Sequence, residues 1–252
     1  MHILLANDDG IKAPGLNILA EALAAQHHKV TVVAPRDDVS GCGMSLSRAR
    51  SVAVSQVAER RFVVDGSPAE SIHIGLNSLV DEPVDLVMSG INNGANLADD
   101  ILYSGAFAAA MEARHMRVPA ISISVTEQNV QHFETATRLA IDLSNSISQL
   151  AFKSLISLLN INLPDVAMMD LRGYKATLMG DRHSPMRPAL QSGDLANGVY
   201  QLGAVGDFVR RKRNKMQDFE AVEQGYASVT PLSTRFEDSA YVDDVQQWLD
   251  NL

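Results

Sequence analysis

The sequence predicts an α/β protein with a Rossmann-like, largely parallel sheet, helices on both faces, and a C-terminal extension of hairpins and a helix. Short β-rich runs alternate with helical patterns over the first 125 residues, as βαβ units require. The composition, 46% hydrophobic and 20% charged, is that of a globular protein. After residue 170, six glycines between residues 173 and 206 separate short segments, which is typical of loops and hairpins. We therefore predict an α/β core at 1–170 and an extension of hairpins and a terminal helix at 171–252.

Apolar, β-rich runs predict the strands of this sheet. The candidate buried strands are residues 3–6, 30–34, 86–89 and 120–125. A further strand is predicted at 160–163, where Pro164 closes it because proline cannot donate to a strand ladder.

Apolar residues at helical spacing predict the helices between the strands. Leu16, Leu19 and Leu23 show this spacing most simply. The predicted helices are residues 15–26, 68–80, 104–116 and 130–150. The last of them is long and amphipathic, so we expect it to cover one face of the sheet.

Two segments depart from the α/β pattern. Residues 47–64 contain two short β-rich runs around Glu59-Arg60-Arg61, which predicts a hairpin inserted into the scaffold. Residues 239–252 place an apolar stripe on one face of a terminal helix, formed by Tyr241, Val245, Trp248 and Leu249. That stripe requires a packing partner, which is either the chain itself or another subunit.

The bulk composition narrows the possible functions. The formal net charge of −9 argues against nucleic acid as the main partner, since that role requires clustered basic residues. The single cysteine, Cys42, excludes an intramolecular disulfide and fits a reducing compartment. The N-terminus enters an apolar strand without the pattern of a signal peptide, and no apolar run reaches the roughly 20 residues of a membrane span. We expect a cytoplasmic protein with no membrane partner.

The acidic pair Asp8-Asp9 follows the first predicted strand and precedes Gly10. Two carboxylates are thereby placed at the carboxyl end of a parallel strand, where open α/β sheets bind ligands. Like charges in so confined a place repel each other unless a cation lies between them. A metal site is favoured over a helix cap or a solvated loop. We expect ordinary solvated surface at the other three Asp-Asp pairs, which are Asp37-Asp38, Asp99-Asp100 and Asp243-Asp244.

Three loops rich in Gly, Ser and Asn follow other predicted strands, at residues 39–43, 89–96 and 103–105. Glycine lets backbone N–H groups approach an oxyanion, and a helix N-terminus adds a favourable dipole. Ser and Asn oxygens together with two carboxylates form an all-oxygen ligand set suited to Mg²⁺ or Mn²⁺ rather than zinc. Tight turns with an N-cap at Ser104 are the alternative, but convergence of the loops on one edge favours a ligand site.

The other motifs in the sequence give little further indication of function. The sequence has neither GxxxxGK[ST] nor GxGxxG, so it lacks both a P-loop and a dinucleotide fingerprint. The seven histidines form no metal-ligand spacing, and His183 is the one worth testing. Cys42 has no visible activating histidine, so we expect it to act as a small neutral residue. The basic run from Arg210 to Lys215 is interpreted as a solvated loop, with a minor role in steering anions.

Taken in order, these segments resemble the SurE (survival protein E) family of nucleotidases. The similarity rests on five ordered motifs at residues 4–15, 33–41, 66–70, 85–112 and 160–164. The chain departs from the family pattern at Ser67-Pro68-Ala69-Glu70-Ser71, at Met216-Gln217-Asp218 and across residues 192–207. These departures leave the candidate metal ligands in place and affect substrate preference and C-terminal exchange.

The resemblance implies roles for individual residues. One divalent cation, Mg²⁺ or Mn²⁺, is implied to bind Asp8, Asp9, Ser40 and Asn92, with Asp8 and Asp9 catalytic. The phosphate is expected to bind Gly41, Asn96, Ser104 and Gly105 with neighbouring backbone N–H groups. The implied activity is hydrolysis of nucleoside 5′- and 3′-monophosphates, so the resemblance makes 1–170 the catalytic core. The implied assembly is a homodimer or homotetramer with an exchanged C-terminal segment, so the resemblance gives the extension at 171–252 a role in oligomerisation.

The residues favour direct attack by water over an aspartyl-phosphate intermediate, because Asp8 is followed two positions later by Gly10 rather than by a second acid. A receiver-like signalling domain is disfavoured, because Ser89-Gly90 occupies the place of its phosphorylatable aspartate. A catalytically silent nucleotide- and metal-binding regulator remains as the alternative to an enzyme.

Overall fold

The computed structural model describes residues 1–116, 118–147, 158–185, 187–194, 196–202, 206–234 and 242–250. Its main feature is a nine-stranded sheet in the order β3-β4-β2-β1-β5-β6-β7-β11-β8. The strands are β1 His2–Ala6, β2 Lys29–Pro35, β3 Val54–Ala58, β4 Arg61–Val64, β5 Leu86–Asn93, β6 Ala120–Val125, β7 Leu158–Leu163, β8 Tyr174–Ala176 and β11 Ala227–Leu232. Six of the eight pairings are parallel, and β3–β4 and β7–β11 are antiparallel.

Helices pack on both faces of the sheet, as the sequence predicts. They are α1 Pro14–Ala25, α2 Pro68–Ile74, α3 Gly105–Glu112, α4 Phe133–Ser146, α5 Asp218–Glu223 and α6 Val242–Leu249. Successive residues of a strand point to opposite faces, so Ile3 and Leu5 join a core with α1 and α4, whereas Leu4 and Ala6 join a core with α2 and α3. This burial on both faces fixes β1 at the centre, and with it the position of the loop that follows.

Several helix boundaries differ from the prediction. The predicted helix at 68–80 is α2 followed by a π-helical turn, Gly75–Leu79. The predicted helix at 104–116 is α3 with a 3₁₀ end, Ala113–Met116, and another 3₁₀ turn, Ala98–Tyr103, precedes it.

Helix α4 begins at Phe133 rather than at residue 130, and the predicted end at 148–150 lies outside the described residues. The late start has a local cause, because Asp165 accepts hydrogen bonds from the backbone N–H groups of Gln131 and His132. Those bonds hold the two residues outside the helix.

The inserted hairpin is confirmed as β3 and β4, although its strands begin at Val54 rather than near residue 47. Because β4 pairs parallel with β2, the hairpin extends the main sheet.

Beyond residue 170 the chain contributes both to the sheet and to an appendage. Strands β8 and β11 continue the sheet past β7, whereas β9 Ala189–Gly193 and β10 Gly198–Gln201 form a separate antiparallel hairpin. The division into two parts at residue 170 stays a prediction. None of the helices in the described ranges combines the length and apolar character of a membrane span.

The terminal helix is α6, and all its residues are exposed in this chain, including Val245, Trp248 and Leu249. Tyr241, the fourth residue of the predicted stripe, lies outside the described residues.

Candidate functional site

The loop after β1 holds the Asp8-Asp9 pair in a fixed turn. The Asn7 side chain donates a hydrogen bond to the Gly10 carbonyl at 2.9 Å. Gly10 has a φ of +94°, and a Cβ there would lie 2.9 Å from the carbonyl carbon of Asp37. Only glycine suits that conformation and that close approach. As a result, Asp8 is buried with 3% of its surface exposed, and Asp9 is half-buried.

The two carboxyl groups lie in a negative, desolvated environment. Burial raises the pKa of Asp8, while the backbone N–H groups of Ala106 and Gly105 partly offset that rise. Burial and the charge of Asp8 raise the pKa of Asp9 to about 6. The charge of Asp38 raises both pKa values further. Asp38 is therefore a third carboxylate near the site, and the expectation that Asp37-Asp38 is simple solvated surface overlooked this effect.

These residues fit a divalent cation. Asp8 Oδ1 is buried and has no hydrogen-bond partner among the described residues. A buried charge without a partner is costly, and a bound cation removes that cost. The His, Cys, Asp and Glu side chains of the described ranges form no group of three or more that could hold a metal, so neutral oxygens must complete the ligand set.

The loop carrying Ser40 and Gly41 is attached to the acidic pair. Val39 N donates to the Asp8 carbonyl at 2.9 Å, and Ser40 N donates to Asp38 Oδ1 at 2.8 Å. Gly41 adopts a φ of +80°, and both Ser40 and Gly41 are exposed. The structure thus brings this loop beside Asp8 and leaves the Ser40 hydroxyl accessible.

The end of β5 reaches the acidic pair through a β-bulge. Ser89 and Asn92 lie opposite Ser122 and Ser124 of β6, so β5 carries one extra residue. Bulges re-aim side chains and are frequent beside active sites. The Asn92 amide nitrogen donates to the Gly94 carbonyl at 2.9 Å, which leaves its amide oxygen for a cation. Asn93 N donates to Asp9 Oδ2 at 3.4 Å.

Asn96 is held by a buried polar network. Its N–H donates to Asn162 Oδ1 at 2.7 Å, and its carbonyl accepts from the side chains of Asn160 and Asn162. Its own amide nitrogen donates to Ser124 Oγ at 2.8 Å. These positioning roles were not predicted from the sequence. The sequence signal for such a network is the pair Asn160 and Asn162, which alternate within a strand, where asparagine is usually depleted.

Ser104 and Gly105 form the N-terminus of α3 beside Asp8. The Ser104 hydroxyl accepts a hydrogen bond from Phe107 N at 3.0 Å, so it is an N-cap. A Cβ on Gly105 would lie 2.9 Å from Asp8 Oδ2 and 3.0 Å from Cys42 Sγ. Glycine therefore permits the helix end to contact the carboxylate. Burial and the charge of Asp8 raise the pKa of Cys42, which agrees with a neutral thiol.

Contrary to the expectation of solvated surface, the Asp99-Asp100 pair makes specific contacts with Arg182. Arg182 N donates to Asp99 Oδ2 at 3.0 Å, and Arg182 Nε donates to Asp100 Oδ1 at 2.8 Å. The contact joins residues more than 80 positions apart, which local sequence patterns do not encode. His183, the next residue, is exposed.

Asp218 is a buried acid that was named from the sequence only as part of a departure from the family pattern, with no role assigned. It accepts hydrogen bonds from the N–H groups of Ala98, Gly180 and Phe219. Burial nevertheless raises its pKa. These bonds attach α5 to the segment that leads to α3.

The basic run from Arg210 to Lys215 is an exposed, ion-paired segment. This agrees with its interpretation as a solvated loop. Arg210 pairs with Glu223, and both Arg211 and Arg213 pair with Asp181. These acids neutralise much of the charge that could steer anions.

Comparisons with known proteins point to one family. The family model described as "Survival protein SurE" matches residues 3–186. The 5′-nucleotidase SurE of Methylococcus capsulatus is 40% identical over 99% of this chain and 98% of its own length. The 5′-nucleotidase SurE of Xanthomonas campestris is 38% identical over 100% of this chain and 97% of its own. The crystal structure of the SurE protein from Aquifex aeolicus matches with a TM-score of 0.86 at 31% identity, covering 99% of this chain and 100% of that one.

Proposed function

The chain belongs to the survival protein SurE family, and from that premise we propose that it is a 5′-nucleotidase, a phosphoric monoester hydrolase. Its substrates are nucleoside 5′-monophosphates and also 3′-monophosphates, and its cofactor is one divalent cation, Mg²⁺ or Mn²⁺. The observation that carries the proposal is the buried Asp8 Oδ1, which lies beside Asp9 and the N-terminus of α3 and has no hydrogen-bond partner in the described part of the chain. A negative pair next to a helix N-terminus suits a cation and a phosphate together.

Asp8, Asp9, Ser40 and Asn92 are the proposed cation ligands. The two carboxylates supply charge, and the Ser40 hydroxyl and the Asn92 amide oxygen supply neutral donors. When bound, the cation withdraws charge from the phosphoryl oxygens and lowers the pKa of a water molecule. The raised pKa values of Asp8 and Asp9 support this assignment, because burial and neighbouring carboxylates disfavour the negative charges that a cation would stabilise.

Gly41, Asn96, Ser104 and Gly105 are the proposed phosphate-binding residues. Backbone N–H groups at the start of α3 bring the positive end of a helix dipole to the site. The Asn96 amide nitrogen has two N–H bonds, one of which reaches Ser124, so the second remains for a phosphate oxygen.

Water is the proposed nucleophile. Asp8 is 3% exposed and lies against the start of α3, so its oxygens have little room for in-line attack on phosphorus. Asp9 is more accessible and is the better placed of the pair to accept the proton of the attacking water. A catalytically silent nucleotide-binding regulator would retain the binding contacts and release no phosphate.

The proposal is tested by measuring phosphate release from a panel of nucleoside 5′- and 3′-monophosphates. We expect activity with Mn²⁺ or Mg²⁺, loss of activity with EDTA, and recovery when the cation is restored. Turnover that persists in EDTA would contradict the cation assignment. Nucleotide binding without phosphate release would favour the silent regulator.

We also infer a cytoplasmic homodimer or homotetramer. The exposed apolar residues Val245, Trp248 and Leu249 on α6 support this inference, because such a stripe is stabilised by packing against a partner. Light scattering coupled to size-exclusion chromatography tests it, and a monomeric mass at micromolar concentration would contradict it.

A further inference from the structure

We propose that a cavity beside the phosphate-binding loop is the nucleoside subsite, and that Tyr103 stacks on the nucleobase. The proposal rests on the phosphatase function proposed above. It adds the residues that distinguish a nucleotide from a smaller phosphate ester.

The cavity lies between the 3₁₀ turn Ala98–Tyr103 and the segment that begins at Arg182. Its volume is about 600 Å³, within the range typical of small-molecule sites. Its lining includes an aromatic ring, two prolines and a leucine, which are Tyr103, Pro185, Pro188 and Leu202. Such a lining suits a flat, largely apolar ligand.

Tyr103 connects this cavity to the phosphate-binding residues. It precedes Gly105 by two positions, so their Cα atoms are at most about 7.6 Å apart. The Tyr103 carbonyl accepts a hydrogen bond from Gly43 N at 3.1 Å, which ties it to the loop that carries Ser40 and Gly41. A substrate whose phosphate lies at the start of α3 therefore has its organic group within reach of the cavity.

The charges around the cavity favour an uncharged group over a second phosphate. Arg182 is the cation among the described lining residues, and its guanidinium is paired with Asp100 at 2.8 Å. Asp99 accepts from Arg182 N. Because the positive charge is already neutralised, we expect little attraction for additional phosphate groups.

The wall behind the cavity is held in place by stacked groups. The Arg182 guanidinium lies 4.0 Å from the centre of the Phe208 ring, and Phe208 stacks on Phe219 at 4.3 Å. By contrast, Tyr103 is 68% exposed, which leaves its ring face free for a base. Stacking of a base on an aromatic side chain tolerates any base, so this subsite selects nucleosides over aliphatic groups without choosing among bases.

The test compares kcat and KM for a nucleoside 5′-monophosphate and for glycerol 2-phosphate, which has no base. We expect Tyr103→Ala to lower kcat/KM for the nucleotide about 10- to 100-fold, the effect of losing one base stack. Most of that change should lie in KM, and kcat/KM for glycerol 2-phosphate should fall much less than kcat/KM for the nucleotide. Tyr103→Phe keeps the ring and should restore nucleotide KM. Tyr174→Ala, which removes a half-exposed tyrosine from β8, is the matched control and should affect neither substrate.

Equal losses for both esters, or no loss for either, would overturn the proposal while leaving the phosphatase function intact. A change in oligomeric mass in Tyr103→Ala without a change in substrate discrimination would also overturn it, since the cavity would then hold a second copy of the chain. If the wild type releases no phosphate from any ester, calorimetric titration with adenosine still tests the subsite. Binding that is lost in Tyr103→Ala supports it, and no binding by the wild type refutes it.

Discussion

Asp8 and Glu70 are both buried carboxylates, each 3% exposed, and their pKa values shift in opposite directions. Burial acts to raise the pKa of Glu70, but hydrogen bonds from Ser47 and Ser67 outweigh it and the pKa is lowered. Burial dominates at Asp8, and its pKa is raised. Glu70 Oε1 accepts from Ser47 N at 2.6 Å, and Oε2 accepts from Ser67 N at 2.7 Å. Asp8 Oδ1 has no such partner within the described part of the chain.

We interpret this difference as one between a structural carboxylate and a carboxylate with a proposed role in ligand binding. Glu70 completes the capping box of α2 and holds the loop at Ser47, so its charge stabilises the fold. Asp8 receives only partial compensation, from the backbone N–H groups of Ala106 and Gly105. Proteins tolerate such a cost where function requires it, and the N-terminus of α3 beside Asp8 indicates what that function is.

The largest expected effect follows from removing the charge of Asp8. Asp8→Asn keeps the side-chain shape and loses a carboxylate ligand, so we expect kcat/KM for nucleoside monophosphates to fall on the order of 1,000-fold or more. Asp81→Asn changes an exposed aspartate just before β5 and should retain wild-type activity. Metal-dependent turnover that survives in Asp8→Asn would refute the assignment.

A smaller loss is expected at Asn162, which touches neither carboxylate. Asn162→Ala leaves Asn96 N without its acceptor and removes one donor to the Asn96 carbonyl. We expect a loss of about 1–3 kcal/mol in unfolding free energy and a fall of roughly 100-fold in kcat/KM as Asn96 moves.

Denaturant unfolding and steady-state kinetics measure the two effects of this change. Asn77→Ala, at an exposed asparagine that donates to the His73 carbonyl, is the control for loss of an amide. Full activity in Asn162→Ala would show that the network does not position Asn96.

The smallest effect is expected at Glu70. Glu70→Gln retains an acceptor but loses the charge, and we expect a loss of about 1 kcal/mol at pH 7 with little change in kcat. Because the pKa of folded Glu70 is below the unfolded value, its stabilisation is present above that unfolded value and lost as pH falls through the folded pKa. The difference between wild type and Glu70→Gln should therefore disappear in acid.

For Asp8→Asn in EDTA, the stability difference between wild type and variant should change with pH in the opposite direction. The pKa of Asp8 is raised in the folded state, so wild type loses stability relative to the variant as pH rises through that range. Glu59→Gln, at an exposed glutamate, should show neither trend. Parallel pH profiles for Asp8→Asn and Glu70→Gln would remove the distinction between the two carboxylates.

Much of the fold follows from local sequence patterns. Apolar runs and helical periodicity located the central strands and the helices on both faces, because burial imposes those periods directly. The position of Asp8-Asp9 after a buried strand predicts a site at that edge, and that site stays a prediction.

The remaining features depend on contacts between distant segments. The bulge in β5, the Asp100–Arg182 pair and the hydrogen bond from Ser47 to Glu70 join residues or strands that no local period relates. The network around Asn96 belongs to the same class, since serine and asparagine are equally common in plain turns. The neutral ligands Ser40 and Asn92 were named only through the family resemblance, and their role stays a prediction.

The most direct test of a cation site at Asp8-Asp9 is thermal unfolding in EDTA and in Mn²⁺. A cation that binds only the folded state stabilises it by about 2.7 kcal/mol at 100 times its dissociation constant. We predict that Mn²⁺ raises the Tm of the wild type and leaves that of Asp8→Asn unchanged. An equal shift in both proteins, or no shift in the wild type, would contradict the account.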